Sequence, residues 1–412
     1  MRRFRPVLPA LALLAACSSE PPTGPITSLP RPLTQAETDL VSVGNRFTFS
    51  LFQETLRQEQ PGANVFVSPL SVSMALGMTL NGAAGATETG MRQALALGNE
   101  SRDDINAAYK GLIQLLRGLD PHATFTIANS IWYRNTFQFL PEFLDVNRAS
   151  FDAQVQGLDF ASPQAAATIN GWVNDQTAGR IPEIVPAPLP HDVVMYLINA
   201  IYFKASWTRR FNPQLTQPAP FQLAGGGTVQ VPMMSHGTEI TFLGRYDSLA
   251  QVADLPYGGG AFSMTIVLPA AGRSVDSVAR YLTNDVWNNW MASLDSTRMA
   301  VHLPRFTMKY DLERAVPVLK ALGMAAAFCD APSPDFTRMS AGGQLCISDV
   351  KHKTFVQVDE AGTEAAAATS VGIQPTSLPP QFTVDRPFIF VIRERFSGTI
   401  LFIGKIMNPI TA

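Results

Sequence analysis

Residues 358–380 read VDEAGTEAAAATSVGIQPTSLPP, and this stretch constrains the fold more than any other. Taken in twos from Thr363, one set is Thr363, Ala365, Ala367, Thr369, Val371 and Ile373. The other is Glu364, Ala366, Ala368, Ser370, Gly372 and Gln374. The first set is small or apolar throughout and the second is polar or tiny, which is the alternation of a strand with one buried face. Yet the stretch closes on Gln-Pro-Thr-Ser-Leu-Pro-Pro, which is turn and loop chemistry. Locally, Glu364 to Ala368 even favours helix. Side chains this small let a segment slide between neighbouring strands without clash. An Ala-rich surface helix or a flexible loop fits the segment, taken alone, equally well.

The rest of the chain supplies the surroundings. Leu40, Val43, Phe47 and Leu51 recur at intervals of three and four, which predicts an amphipathic helix over 37–58. Further helices are predicted over 71–80, 87–97 and 103–116, and another over 311–322 that stops at Gly323. Strand-like runs cover 124–133, 193–204, 262–268 and 299–308, then 354–358, 388–392 and 399–403. Helices first and antiparallel-looking strands later argue for α+β in one large domain, residues 37–412. With 412 residues, 46% hydrophobic and 16% charged, the chain has ample core for that. A net charge of −2 makes nucleic acid an unsuitable partner, since phosphate binding needs a basic surface.

The N-terminus reads as an address. Arg2, Arg3 and Arg5 precede an apolar run, Val7 to Ala16, that is too short to span a bilayer. It ends in Leu14-Ala15-Ala16-Cys17, which resembles a bacterial lipobox: residues 1–16 would be a lipoprotein-type signal peptide and Cys17 the lipidated new N-terminus. Five prolines between Cys17 and Thr34 suit an extended tether, assigned to 17–36. The expected location is therefore exported and lipid-anchored to the cell envelope, facing periplasm or exterior. With Ser18 after the cysteine, outer-membrane sorting follows in a Gram-negative cell.

Familiar catalytic patterns are missing. The five histidines have no metal-ligand spacing, and no CxxC, GxSxG elbow, P-loop or dinucleotide fingerprint occurs. No metal, no cofactor and no catalytic residue is expected, and the chain is expected not to be an enzyme. Cys329 and Cys346 read as either a bridge or two inert thiols in an exported protein, in preference to a Cys/His nucleophile pair.

The flanks of the strand-like segment carry a resemblance. Residues 382–392, FTVDRPFIFVI, and 400–409, ILFIGKIMNP, resemble the C-terminal signature of the serpins, the serine protease inhibitors. NVFVSPLSVSMAL (64–76), LNGAAGATETGMRQAL (80–95), INGWVNDQTAGRIPEIV (169–185), LINAIYFKASW (197–207) and HKTFVQVDEAGTEAAAAT (352–369) are similar to serpin segments in serpin order.

The resemblance implies a metastable α+β fold with three mainly antiparallel sheets and an exposed reactive loop. A target protease cuts the loop, forms an acyl-enzyme and is trapped when the loop inserts into the main sheet. The hinge maps onto Glu360, Gly362, Thr363, Glu364, Ala365, Ala366, Ala367, Ala368 and Thr369. Its inserting face carries no charge or bulk, as in inhibitory members; Ala361 is a mild departure. Counting from Gly362 places the scissile bond between Thr376 and Ser377, with Ile373, Gln374, Pro375 and Leu378 setting specificity and Ile373 or Leu378 as alternative cleavage positions. No Lys or Arg occurs from 361 to 385, which argues against trypsin-like targets and for elastase-like or subtilisin-like ones. Ser68, Ser71, Asn199 and His352 match the family's shutter. Trp207, Arg305 and Glu360 match its breach, although Glu360 and Arg305 by themselves would be a surface ion pair of little value. The expected partners are a serine protease in covalent complex and a bilayer through Cys17. No heparin-type activator is expected, because the 103–116 helix carries only Lys110 with Arg117 nearby, and the chain should be a monomer. Two other functions share these residues: a non-inhibitory binding or chaperone module, and cross-class inhibition of papain-like cysteine proteases.

Overall fold

The computed structural model describes residues 24–342, 345–363 and 380–411. Cys17 and residues 364–379, which hold most of the hinge, the specificity residues and the Thr376–Ser377 bond, lie outside them.

Thr34 opens the first helix, α1 (Gln35–Gln58), by a capping box: its hydroxyl accepts from the Glu37 N–H, and the Glu37 carboxylate accepts from the Thr34 N–H. Leu40, Val43, Phe47 and Leu51 are buried, as their spacing predicts. There follow β1 (Val65–Val67), α2 (Pro69–Leu80), α3 (Gly85–Ala94), α4 (Arg102–Leu116), β2 (Ala123–Arg134), α5 (Pro141–Phe151), β3 (Gln154–Leu158), α6 (Pro163–Gln176) and β4 (Met195–Ser206). The second half is mainly strand: β5 (Gln217–Gln222), β6 (Thr228–Tyr246), β7 (Ala250–Tyr257), β8 (Phe262–Pro269), α7 (Val275–Tyr281), α8 (Asn284–Ala292), β9 (Asp295–Pro304) and β10 (Phe306–Asp311). The chain closes with α9 (Ala315–Leu319), β11 (Lys353–Val358), β12 (Gly362–Thr363), β13 (Gln381–Thr383), β14 (Phe388–Glu394) and β15 (Ile400–Ile406). Residues 24–34, assigned above to the tether, run against this body, with Ile26 and Leu33 packed on the core.

The α+β class and the single domain stand, but three details differ from expectation. The run 299–308 is two strands broken at Arg305: β9 joins the larger sheet and β10 the smaller. The helix expected from residue 311 starts only at Ala315, because β10 continues to Asp311 in register with Lys353. It gives way at Gly323, whose φ of 112° no helix interior adopts. Among the described residues the hydrogen-bonded sheets number two, not three. The 19-residue β6 pairs with β5, β7 and β9 and shifts register between Ser235 and Glu239, so it joins two groups of strands into one nine-stranded sheet.

The six-stranded sheet has the order β10-β11-β12-β4-β2-β3. Helix α6 lies on it, burying Ile169 and Val173 against Trp132 and Ile198 in a separate small core. The main core fills the space between the two sheets and α1, α2 and α4.

Candidate functional site

The seam between β4 and β11 is the site. At one point a two-residue strand, β12, lies in it: Gly362 and Thr363 pair with Ser206 and Ala205 of β4, and Thr363 pairs with Val358 of β11. Chain order dictates a sharp reversal here, since β11 ends only four residues earlier. Asp359 makes it, its Oδ1 accepting the N–H groups of Ala361 at 2.9 Å and Gly362 at 3.2 Å. Gly362 must be glycine. Its φ is 153°, and a Cβ would sit 2.1 Å from the Ala205 carbonyl oxygen.

Around this turn the residues expected at the breach come together. The Trp207 indole N–H donates to the Asp359 carbonyl at 2.9 Å and its backbone N–H to the Ala361 carbonyl at 2.9 Å. Its ring stacks on Tyr257 with centroids 4.3 Å apart. The Tyr257 hydroxyl meets the Thr363 hydroxyl at 2.8 Å, and both residues are buried. Thr363 therefore points inward, as the period of two requires. Glu360 is buried, not superficial: it pairs with Arg305 and accepts from the Thr216 hydroxyl at 2.5 Å. Burial pushes its carboxyl up, but the guanidinium and the hydroxyl outweigh burial and hold it below the usual carboxylate range. Glu360 and Arg305 are thus not the bare surface pair that was the alternative to the breach but part of a three-member cluster with one side of it closed to water.

The residues expected at the shutter gather about the N-terminus of α2. Ser68 caps that helix, accepting the Ser71 N–H at 3.3 Å. The Ser68 N–H donates to His352 Nε2 at 3.0 Å and its hydroxyl to the Leu401 carbonyl at 2.8 Å. The Ser71 hydroxyl donates to the Asn199 carbonyl at 3.3 Å. His352 immediately precedes β11 and Asn199 lies on β4, so two serines of one helical turn bridge both banks of the seam. His352 accepts at Nε2, so its proton is on Nδ1; burial pushes it down to about 4 and it is neutral.

Sequence reasoning missed four contributors: Tyr257, Thr216, Asp359 and Asn129. Asn129 on β2 accepts from the Asn199 amide at 2.7 Å and donates to the Phe151 carbonyl at 2.7 Å. Only Asp359 had a local signal, an Asp three residues before a glycine. Cys329 and Cys346 form a disulfide, away from the seam.

Comparison with known proteins agrees with this geometry. The family described as "Serpin (serine protease inhibitor)" matches residues 42–409. The leukocyte elastase inhibitor of Sus scrofa is 35% identical over 381 residues, covering 90% of this chain and 99% of that protein. Human serpin B9 is 35% identical over 364 residues, covering 86% and 95%. The native state of tengpin, a thermophilic serpin, superposes with a TM-score of 0.81 at 30% identity, over 93% of this chain and 97% of that one. Human thyroxine-binding globulin complexed with thyroxine gives 0.81 at 28% identity, over 91% and 99%. The family description is of serine protease inhibitors, the role that the resemblance implied.

Proposed function

The chain belongs to the serpin family, and from that premise we propose that it is a suicide substrate which traps serine proteases by inserting residues 364–376 between β4 and β11. The observation that carries this reading is β12. Thr363, the first member of the small-sided face, already pairs with both banks of the seam, so the following residues need only continue in register.

The chemistry is an interrupted acyl transfer. The protease serine oxygen attacks the Thr376 carbonyl carbon, the bond to the Ser377 nitrogen breaks, and that nitrogen leaves with a proton from the protease histidine. An ester between protease and Thr376 remains, which water would hydrolyse. Insertion of the thirteen residues 364–376 moves that ester by roughly 43 Å at about 3.3 Å per residue. Catalytic geometry fails at errors of about 1 Å, so deacylation stops. The inserting face tolerates this because Ala365 and Ala367 bring neither charge nor bulk.

The bait, Ile373-Gln374-Pro375-Thr376, with no cation from 361 to 385, suits elastase-like or subtilisin-like pockets. The leukocyte elastase inhibitors among the relatives support the same class of target. Cys17, as a lipidated N-terminus, would hold the inhibitor at the cell envelope.

The test is incubation with elastase, subtilisin, chymotrypsin and papain. An SDS-stable complex with elastase or subtilisin, and a released peptide beginning at Ser377, is the expected result. Cleavage of the loop with no complex formed by any of the four would sink the trapping mechanism.

A further inference from the structure

The N-terminal arm reaches the hinge through a short chain of contacts. Ile26 donates its backbone N–H to the Gly259 carbonyl at 2.7 Å and packs against the core. A second fastening follows at Arg31, which pairs with the buried carboxylate of Glu37 at 2.6 Å. Gly259 belongs to the turn Gly258-Gly259-Gly260 that joins β7 to β8.

That turn is held from several sides. Asp120, 1% exposed and just ahead of β2, accepts the N–H of Gly259 at 2.9 Å and of Ala261 at 3.4 Å through Oδ2, and of His122 at 2.9 Å through Oδ1. Arg395, just past β14, donates to the Gly260 carbonyl at 2.9 Å. On its other side the Gly258 N–H donates to the Ser206 carbonyl at 2.7 Å, and the Gly258 carbonyl accepts from the Thr208 hydroxyl at 2.9 Å. Ser206 is the β4 residue paired with Gly362, and Tyr257, which starts the turn, holds Thr363. Contacts therefore pass from Ile26 to Gly259 and Gly258, then to Ser206, and so to the hinge.

We propose that Ile26 and Asp120 are positioning residues for the trap. They fix the 258–260 turn so that the first strand pair of the hinge is made before the loop is cut. This rests on the trapping mechanism proposed above. Insertion competes with hydrolysis of the acyl-enzyme, and a hinge already in register starts that race with its search for pairing complete. When the turn is loosened, Gly362 and Thr363 lose the support of Ser206 and Tyr257, insertion starts later, and more inhibitor is consumed as mere substrate. Neither Ile26 nor Asp120 belongs to the bait, so the association rate with the protease stays the same.

The experiment uses the full-length chain with subtilisin and elastase as probes. Ile26→Pro removes the N–H that Gly259 accepts and lies ahead of the first helix, so folding is not at stake; Asp120→Asn weakens the grip on the turn from the other side. Two quantities are read: the association rate, and the number of inhibitor molecules consumed per protease trapped. The loss of one hydrogen bond in the chain should raise that number's excess over one by about two- to tenfold, at an unchanged association rate. An unchanged excess in Ile26→Pro, while the wild-type chain traps normally, overturns the inference alone. So does a variant that merely loses activity on standing with its partition intact, since the arm would then be a lock and not a positioning device. A wild-type chain that traps neither protease overturns the inference together with the mechanism beneath it.

Discussion

The breach and the shutter lie on the same seam, yet water reaches only one of them. At the breach, Arg305 is 47% exposed while Glu360 is 9% exposed, so a charge is kept with one partner facing solvent. At the shutter, Ser68, Ser71 and His352 are all buried and all neutral. A charged cluster at the rim can open by letting water replace a partner. A neutral cluster in the interior opens only by leaving donors and acceptors unpaired, which is the costlier event. On the trapping mechanism proposed above, the difference would give each separate work: the breach would admit the loop, and the shutter would resist any parting of the sheet that no loop follows.

The largest effect expected from breaking this division is at the point of admission. Thr363→Arg would place a guanidinium against the buried Tyr257 hydroxyl and between the two banks of the seam. Burying an unpaired charge costs several kcal/mol, which in rate is a factor of a thousand or more. The variant should be cleaved as readily as the wild type but yield no SDS-stable complex on a gel; persistence of the complex would show that Thr363 does not lead the insertion.

Acid should separate the two clusters next. His352 has its folded pKa pushed down to about 4 from an ordinary 6.5, so the unfolded chain takes up the proton first. Its contribution is complete above 6.5 and is lost as pH falls from there towards 4, at about 1.4 kcal/mol per pH unit and about 3 kcal/mol in all. Glu360 is also shifted down, but its contribution persists until pH falls below its ordinary value of 4.5. The shutter therefore weakens before the breach does. Urea midpoints between pH 7 and pH 4.5 should fall in the wild type and fall much less in His352→Asn; parallel curves would remove the histidine from the account.

Much of this was legible in the chain before any coordinates. The helix over α1, the strand pattern around β4 and β11, and the inward face of Thr363 follow from periods of 3.6 and 2, which the backbone enforces. Trp207, Arg305, Glu360, Ser68, Ser71, Asn199 and His352 were assigned by resemblance and do meet at two points on one seam. What stayed hidden depends on tertiary placement. Tyr257 is 106 residues from Thr363, and Asp120 is 139 residues from Gly259; nothing local marks either pair. Arg305 looked like the middle of a strand because both sides of it are apolar, and only the crossing of β9 and β10 into different sheets makes it a corner. The burial of Glu360 escaped notice for a similar reason, since the Thr216 hydroxyl that completes its cluster comes from a distant loop.

Two smaller changes sharpen the contrast from the breach side. Glu360→Gln keeps the shape and the bond to Thr216 but leaves Arg305 without its charge partner. Because Arg305 remains half in water, the cost should be about 1–2 kcal/mol, well short of the 3–5 kcal/mol of a fully buried pair. Glu360→Lys goes further by placing two cations together, and should open the sheet enough to form polymers on mild heating. An unchanged yield of monomer from Glu360→Lys would mean that the breach charge has no part in keeping the sheet closed.

Thr216→Val is the mildest test. The methyl replaces a hydroxyl that gives Glu360 one hydrogen bond at 2.5 Å, while Arg305 and the Phe211 N–H on the Glu360 carbonyl remain. A carboxylate that keeps its guanidinium and its contact with solvent through Arg305 should lose about 1 kcal/mol or less. The corresponding deletion at the shutter, Ser68→Ala, removes a side chain that accepts from Ser71 and donates to Leu401, with no water to take its place. Its cost should be about 2 kcal/mol, from an uncapped helix and an unpaired carbonyl. Urea midpoints of the two variants measured together decide the matter. If Thr216→Val proves as damaging as Ser68→Ala, then solvent access does not distinguish the two ends of the seam, and the breach is held as rigidly as the shutter.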